Sequence, residues 1–536
     1  MIALPSGIPN WLLMIAGDRP PWKRKKQGES VTEISGDTIS EAAVSRISSW
    51  IQTCQSDHLC KGIAQSPLPK RVLDISSPSS VRLYCPGDNE FHKYACLSHC
   101  WGPSRPLITT TENIHRLRDS IPWLNLSKTF QDAIHVARKL GISYLWIDSL
   151  CIIQDSKEDW QAESSKMASI YANSTVTLAA SRAASDSEGC AAMSPDIHRS
   201  QRLTYLSPDG LPQTISIRGT LTHGQGLVPL PLLSRAWVFQ ERLLSPRIVH
   251  FTHEELVWEC MEQTTCECGC IRSLWSPGFM PFNKDLLHEP RLRRASKTEL
   301  RLTWHNIVRE YSRLRLTLTR DRLPAISGAA KKFAAVMGCE YLAGLWRDNL
   351  INDLMWRRTG PLELSTRLTS APTWSWASIS AEITYDMTVS TEVMAVVVDA
   401  SCEALGPDLF GELISGKIVI SGLLAPVTLK WRERHGLREA VSISIGKDEP
   451  VLCFGSLVLD VDAVEIATNI YCLKLASQQG LMDAIGSLEI SLVLTCLDEQ
   501  TQIYQRIGLL KVDIQGTAPD FDIYEGVLET RTLTII

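Results

Sequence analysis

The chain has 536 residues, of which 44% are hydrophobic and 21% charged, and its formal net charge is -5. This length is enough for about three domains with a sizeable buried core, and the composition is that of a globular rather than a disordered protein. The weak negative charge excludes a general attraction for nucleic acid or for an anionic membrane. We therefore expect no nucleic acid among its partners.

The apolar segments of the sequence are too short to cross a bilayer. The stretch at residues 11–16 is apolar, but it lacks the positively charged start of a secretory signal. We therefore predict a cytoplasmic protein without a membrane span. In that compartment the 16 cysteines are expected to stay reduced.

Two groups of cysteines are close enough in sequence to be considered as metal ligands. They are Cys54 and Cys60 with His58, and Cys266, Cys268 and Cys270. Neither group has the paired C-x-x-C spacing of ordinary zinc sites, although the two groups together could supply one site. Buried cysteines more often serve as small apolar side chains, and we predict no metal site.

The N-terminal half predicts a parallel sheet wound by helices. Residues 1–48 are polar and rich in Pro, Gly and Ser, which is typical of an extension and linker. Short apolar runs at 94–98, 144–147 and 175–180 predict strands, and helices with N-caps at Ser127 and Ser156 lie between them. Strands and helices that alternate in this way favour right-handed parallel crossovers.

The remaining segments predict a change of architecture towards the C-terminus. An insertion occupies 181–230, and a helix at 234–244 is followed by strands at 247–251 and 255–259. Residues 261–390 are predicted to be mainly helical with a Trp-rich strand, and 391–536 to form a β-rich domain. The fold class is therefore α/β in the first half, followed by a helical region and a β-rich C-terminal domain.

Three blocks of this sequence resemble the HET (heterokaryon incompatibility) domain of filamentous fungi. They are YACLSHCWG at 94–102, GISYLWIDSLCIIQD at 141–155 and SRAWVFQERLLSPR at 234–247. The blocks follow the order of the family, and weaker likeness extends over residues 50–380. The resemblance places a HET domain at 49–260, with its core at 93–260.

The resemblance implies a role in non-self recognition and programmed cell death after hyphal fusion. The implied partner is a second copy of the chain or another incompatibility protein. HET domains have been likened to TIR domains, which have a flavodoxin-like parallel sheet and in some branches cleave NAD. By this analogy the chain has a TIR/flavodoxin-like sheet and, if it is an enzyme, is a NAD glycohydrolase-like hydrolase with NAD as its substrate.

Acidic residues after the predicted strands are the candidate catalytic groups. Asp148 follows a strand at the edge where wound parallel sheets bind ligands. Glu163 is the first choice for stabilising the oxocarbenium-like sugar that forms when nicotinamide leaves, and Asp155 is the second. His99 could act as acid, base or phosphate donor.

Each of these groups also has a structural interpretation. Asp148 could cap the loop at 149–156 through backbone N–H groups. Glu163 could pair with Lys166 on a solvated helix face, and His99 could pack beside a tryptophan.

A second set of residues is predicted to bind the substrate. Ser98, Trp101 and Gly102 surround His99, and Arg235, Gln240 and Glu241 lie on the later helix. Arginine forms bidentate pairs with phosphate, but the same three residues could instead fasten the helix to the sheet through buried ion pairs.

Two other functions fit the same sequence. The domain could be a non-catalytic module that acts by self-association, or the chain could be an accessory protein or enzyme of a fungal metabolic pathway, because one fold hosts unrelated chemistry.

Overall fold

The computed structural model describes residues 33–536 apart from several segments within that range. Those segments are 61–64, 104–106, 207, 220, 222–229, 270, 272–283, 362–364, 386–391, 435–436, 446–454, 462–468, 479–486, 515–523 and 525–529. The chain forms two compact units, Met1–Arg291 and Leu292–Ile536. The protein is of mixed α/β class, with several sheets and helices.

The first unit contains twelve strands and seven helices among its described residues. The strands are β1 Ser66–Pro67, β2 Val72–Asp74, β3 Arg82–Tyr84, β4 Phe91–His92, β5 Tyr94–Ser98, β6 Tyr144–Trp146, β7 Val176–Ala179, β8 Gln201–Leu206, β9 Pro212–Ile217, β10 Arg247–Phe251, β11 Leu256–Cys260 and β12 Thr264–Cys266. The helices are α1 Glu41–Asp57, α2 Ile114–Asp119, α3 Lys128–Lys139, α4 Asp148–Cys151, α5 Lys157–Ser164, α6 Met167–Asn173 and α7 Ala236–Leu244. An eighth helix, α8 Glu289–Arg294, crosses the boundary between the units.

An eight-stranded sheet organises this unit in the order β12-β11-β10-β7-β5-β6-β2-β3. Its four central strands, β10, β7, β5 and β6, pair in parallel. Antiparallel strands extend the sheet on both sides. The three strands predicted at 94–98, 144–147 and 175–180 are therefore direct neighbours, and their carboxyl ends meet at one edge.

Burial explains why the central segments form strands. All five residues of β5 and all four of β7 are buried. A parallel strand that is covered on both faces requires such a continuous apolar run. Residues 95 and 97 of β5 pair with β7 residues Val176 and Leu178, so apolar side chains face each other across the ladder.

Local signals position the helices around the sheet. The Ser127 side chain accepts a hydrogen bond from the Phe130 N–H and caps α3, as predicted, and Gly141 follows the helix at φ 71°. Ser156 caps α5 through the Asp159 N–H. The helix predicted after Ser156 divides into α5 and α6, which end and begin at Ser164 and Met167.

The second unit combines helices with a large antiparallel sheet. Its helices are α9 Lys297–Ser312, α10 Ser327–Met337 and α11 Leu350–Asp353. Its strands are β13 Tyr341–Leu342, β14 Leu345–Trp346, β15 Arg357–Arg358, β16 Ile383–Thr384, β17 Glu392–Val393, β18 Val396–Ala404, β19 Leu413–Arg434, β20 Leu437–Ile445, β21 Gly455–Leu459, β22 Ile470–Gln478, β23 Ser487–Asp498, β24 Ile503–Ile514 and β25 Thr530–Ile535. Nine of these strands, β17 to β25, form one sheet, in which β24 and β25 are the parallel pair.

A buried ion pair lies inside the second unit. The guanidinium of Arg506 donates to Asp460 at 3.0 Å and to the carbonyls of Leu354 and Trp356 at 2.6 Å each. It also stacks 3.3 Å from the centre of the Trp356 ring. Both charged side chains are fully buried, so each one depends on the other for electrostatic compensation.

Removal of this guanidinium tests how far the second unit depends on the pair. Arg506→Met leaves the Asp460 carboxylate buried without its closest countercharge, and we expect a loss of about 3 kcal/mol of unfolding free energy. The exposed Lys417 on β19 provides the control, because Lys417→Met changes no buried charge. Urea unfolding measures both variants, and equal transitions for the two would contradict the assignment.

No helix among the described residues has both the length and the apolar character that crossing a membrane requires.

Candidate functional site

The carboxyl ends of β5 and β6 bring together the residues predicted to carry chemistry. Ser98 is the last residue of β5 and His99 follows it, while Asp148 begins α4 directly after β6 and Ile147. Because β5 and β6 are parallel neighbours, these side chains emerge at the same edge of the sheet. This is the edge where ligands bind in open α/β sheets.

The Asp148 carboxylate is the centre of a hydrogen-bonded group. Its Oδ1 lies 3.1 Å from His99 Nε2 and accepts the Ser149 N–H at 2.7 Å, and its Oδ2 accepts the Trp101 indole N–H at 3.0 Å. The His99 ring is buried and meets the edge of the Phe130 ring at 5.0 Å between centroids. Asp148 and Trp101 are only partly buried, so the group reaches the surface on their side.

The electrostatics of Asp148 favour its ionised form. Burial alone would raise the pKa of Asp148, but the hydrogen bonds and charge of His99, the Trp101 N–H and the nearby Arg235 lower that pKa below its ordinary value. Asp148 is therefore an anion at neutral pH. Asp148 also accepts the Ser149 N–H, as the loop-capping interpretation predicts. The same carboxylate therefore contacts both the loop backbone and His99.

Glu241, on α7, contacts the carboxyl end of β5 through Ser98. The Ser98 hydroxyl donates to Glu241 Oε2 at 2.5 Å. Burial, reinforced by the negative charge of Asp148, raises the pKa of Glu241 to about 7, against the opposing effects of Ser98, Arg235 and Tyr171. Glu241 therefore gains and loses a proton near neutral pH, where Asp148 stays charged.

Two carboxylates with diverging pKa values are the arrangement that separates acid and base roles in enzymes. Arg235 supports both of them. It directly precedes α7 and donates from Nη1 to the His99 carbonyl oxygen at 2.8 Å. Its charge favours the ionised forms of Asp148 and Glu241. We call Ser98, His99, Trp101, Asp148, Arg235 and Glu241 the strand-end cluster.

Tyr171, a buried residue of α6, lies beside this cluster. Its hydroxyl donates to the Leu97 carbonyl at 3.3 Å and also interacts with Glu241. Burial raises the pKa of Tyr171 well above its usual value, so it acts as a neutral donor. A tyrosine predicted to be buried usually has a hydrogen-bond partner, and this was the signal in the sequence that could have indicated its polar contact.

Glu163, the first choice from the sequence, lies near the cluster but is paired elsewhere. Its carboxylate is 3.3 Å from Lys166 Nζ, one turn along the chain. The ion pair predicted from the sequence is therefore present, and it joins a buried Glu163 side chain, 1% exposed, to a Lys166 side chain that is 55% exposed. Burial raises the pKa of the Cys151 thiol to about 12, and the charges of Asp148 and Glu163 add to this effect.

Asp155 has a different environment from the other candidates. It is exposed, and it accepts hydrogen bonds from the Thr111 N–H at 2.8 Å and the Thr111 hydroxyl at 2.7 Å. These bonds lower the pKa of Asp155. Its observed contacts fasten one loop to another.

Gly102 and Gln240 lie next to the cluster residues in sequence. Gly102 has φ 77°, and a Cβ there would stand 2.4 Å from Ser185 Cβ. Only glycine fits this turn, which directs Trp101 towards Asp148. Gln240 is buried on α7 beside Glu241.

The cysteine groups considered as metal ligands form two separate clusters in the structure. Cys54, His58 and Cys60 are joined by Cys260, and Cys266 and Cys268 are joined by Glu255. Cys270 lies outside the described residues. The sequence missed Cys260 because it is about two hundred positions away from its neighbours in space.

Residues 94–241 match the family described as heterokaryon incompatibility protein (HET). The match begins at the first residue of β5 and ends at Glu241, so it includes the whole strand-end cluster. It confirms the resemblance seen in the three sequence blocks. No curated protein and no solved structure matches the chain.

The raised pKa of Glu241 makes stability depend on pH. An unfolded glutamate releases its proton near pH 4.5, whereas folded Glu241 keeps it up to about pH 7. The stability that this proton contributes is complete below the lower value and is lost as pH rises through the upper one. Glu241→Gln removes this loss, so the unfolding free energy of the variant should rise relative to the wild type by roughly 1.4 kcal/mol per pH unit across this interval.

Denaturant unfolding at a series of pH values measures this difference. Glu112→Gln, at an exposed position on the same unit, is the control and should follow the wild type. A stability difference for Glu241→Gln that is constant between pH 4.5 and 7 would show that Glu241 titrates normally.

Proposed function

Because the chain carries a HET domain at residues 94–241, we propose that it acts in heterokaryon incompatibility as a cytoplasmic effector of non-self recognition and programmed cell death. In this role it would respond to a second copy of the chain or to another incompatibility protein. The strand-end cluster lies entirely within the matched residues, so the output of the domain is best sought there.

The proposed output is hydrolysis of the bond between nicotinamide and ribose in NAD. The observation that carries this proposal is the pair of carboxylates, Asp148 anionic and Glu241 with a pKa of about 7, that converge beside Ser98 and His99. Nicotinamide leaves as a neutral molecule with the electron pair of the broken C–N bond. The ribose left behind resembles an oxocarbenium ion, which a fixed carboxylate stabilises.

Each carboxylate has a distinct role in this proposal. Asp148 faces the developing positive charge, because it is held ionised and keeps part of its surface accessible. Glu241 accepts the proton of the water whose oxygen bonds to the ribose carbon, and then releases that proton to solvent. The products are ADP-ribose, nicotinamide and one proton.

The contacts change the order of the candidates rather than remove any of them. Asp148 and Glu241 come before Glu163 because they meet at the strand ends, whereas the Glu163 carboxylate is paired with Lys166. Asp155 comes last because it is held by Thr111.

The strand order supports a TIR/flavodoxin-like arrangement of the domain. Numbered by sequence, the parallel strands β5, β6, β7 and β10 lie in the order 2-1-3-4, which is the order at the start of a flavodoxin-like sheet. NAD cleavage is inferred from the fold by analogy, and the Asp148 and Glu241 carboxylates support this inference independently.

A second candidate function is a non-catalytic interaction module. The observation in its favour is that cluster groups already satisfy one another, as in the bonds from His99 and Trp101 to Asp148. Two large apolar side chains also face solvent after α2, Trp123 at 42% and Leu124 at 90% exposure. Such exposed apolar groups are typical of protein contact sites when they are contiguous.

Nicotinamide release from NAD by the purified full chain tests the enzymatic proposal, with and without forced clustering. We expect activity in the clustered wild type and a loss of at least about 100-fold in Asp148→Asn, because the fixed charge opposite the transition state is removed. Glu241→Gln should also lose activity, together with the limb of the pH profile near pH 7. Glu158→Gln, exposed on α5, is the control for Glu241→Gln and should retain full activity.

The same variants distinguish the two functions in a fungal host. The enzymatic proposal predicts that Asp148→Asn abolishes cell death and NAD depletion together. If Asp148→Asn still kills, whereas Trp123→Ala with Leu124→Ser does not, the domain acts by association and the hydrolysis proposal is wrong.

A further inference from the structure

Three cysteines and one histidine from distant parts of the sequence meet at the end of α1. Cys54 lies in the last turn of this helix, His58 follows its end, and Cys60 is two residues further on. Cys260 is the last residue of β11. One ligand atom from each of the four residues lies within 4.8 Å of all the others.

The donor set and its dimensions fit a tetrahedral metal ion. Zinc bound at about 2.3 Å from sulfur and about 2.0 Å from nitrogen places its ligand atoms roughly 3.5 to 3.8 Å apart. His58 Nδ1 and Cys260 Sγ are already 3.3 Å apart. Three thiolates and one imidazole make a closed four-ligand set of the kind found in structural zinc sites, and we infer that Cys54, His58, Cys60 and Cys260 bind one zinc ion.

The surroundings of the four residues supply an independent argument. Cys54 and Cys260 are fully buried and Cys60 is 5% exposed. The Arg247 guanidinium is also buried, and among the described residues its Nε and Nη2 atoms have no hydrogen-bond partner. Its charge acts on the Cys54 thiol.

A buried guanidinium without a nearby anion is costly. Zinc with three thiolates and a neutral imidazole carries a net charge of about -1, so the occupied site provides an anion near the buried Arg247 guanidinium. Neutral thiols would not.

Neighbouring contacts hold the ligand loop in position. The Leu59 N–H, between two of the ligands, donates to Glu262 Oε1 at 2.6 Å. The Trp50 and Trp258 rings pack α1 against β11 with centroids 5.9 Å apart. Such outer contacts orient metal ligands before the ion binds, and the ion would fasten the end of α1 to an outer strand of the sheet.

The group of Glu255, Cys266 and Cys268 is the internal comparison. It supplies three candidate ligands among the described residues. The Glu255 carboxylate accepts the Cys268 N–H at 2.7 Å, and the Cys266 sulfur accepts the Ile271 N–H at 3.3 Å. These contacts are those of a local turn, so this group serves as a control for the site at α1.

Metal analysis of the purified full chain, produced with zinc in the medium and dialysed, tests the inference. We expect one zinc per chain, lost in Cys260→Ser and in His58→Ala but retained in His58→Cys, because cysteine can replace histidine as the fourth ligand. Cys268→Ser should keep the zinc. Absence of stoichiometric zinc from the wild type, or zinc that survives Cys260→Ser or is lost in Cys268→Ser, would overturn the assignment.

A second measurement uses the wild type alone and does not depend on the folding of any variant. Exchange of zinc for Co²⁺ should produce the visible absorption of a tetrahedral cobalt–thiolate centre, and a chelator should lower Tm until zinc is added back. If peptide mapping instead finds Cys54 or Cys60 joined to Cys260 by a disulfide in freshly purified protein, the four residues do not form a metal site.

Discussion

The burial of the Glu241 carboxyl group beside the charged Asp148 carboxylate is the constraint on which the chemistry of this domain depends. Parallel pairing of β5 with β6 brings Ser98 and Asp148 to one edge, and α7 places Glu241 against that edge through the Ser98 hydroxyl. In a buried setting two like charges cannot both be ionised without cost. At neutral pH Asp148 is therefore ionised, whereas Glu241 is close to half-protonated.

The remaining members of the cluster decide which carboxylate carries the charge. His99 and Trp101 donate to Asp148, whereas Glu241 has the Ser98 hydroxyl and the neutral Tyr171. Asp148 therefore has the stronger compensation, and its charge then adds to the burial of Glu241. The same asymmetry links stability to pH and would supply the anion and the proton acceptor that the proposed glycosidic cleavage requires.

The sequence predicted the elements that depend on local patterns and missed the contacts that depend on long-range pairing. Apolar runs predicted β5, β6 and β7, and Ser127 predicted the start of α3, because burial and capping act over a few residues. The role of Glu241 could not be predicted in this way, since its pKa depends on burial and on the charge of Asp148, more than ninety positions away. Cys260 was missed for the same reason. The burial of the Glu163 side chain beside the exposed Lys166 also depends on packing that the i,i+3 spacing does not reveal.

A carboxyl-specific infrared titration measures the protonation of Glu241 itself, with Glu241→Gln protein used to identify its signal. We expect the protonated carboxyl band of the wild type to disappear near pH 7 and to disappear at a lower pH in Asp148→Asn, because the neighbouring charge is gone. A band that disappears near pH 4.5 in the wild type, or at the same pH in both proteins, would contradict this expectation.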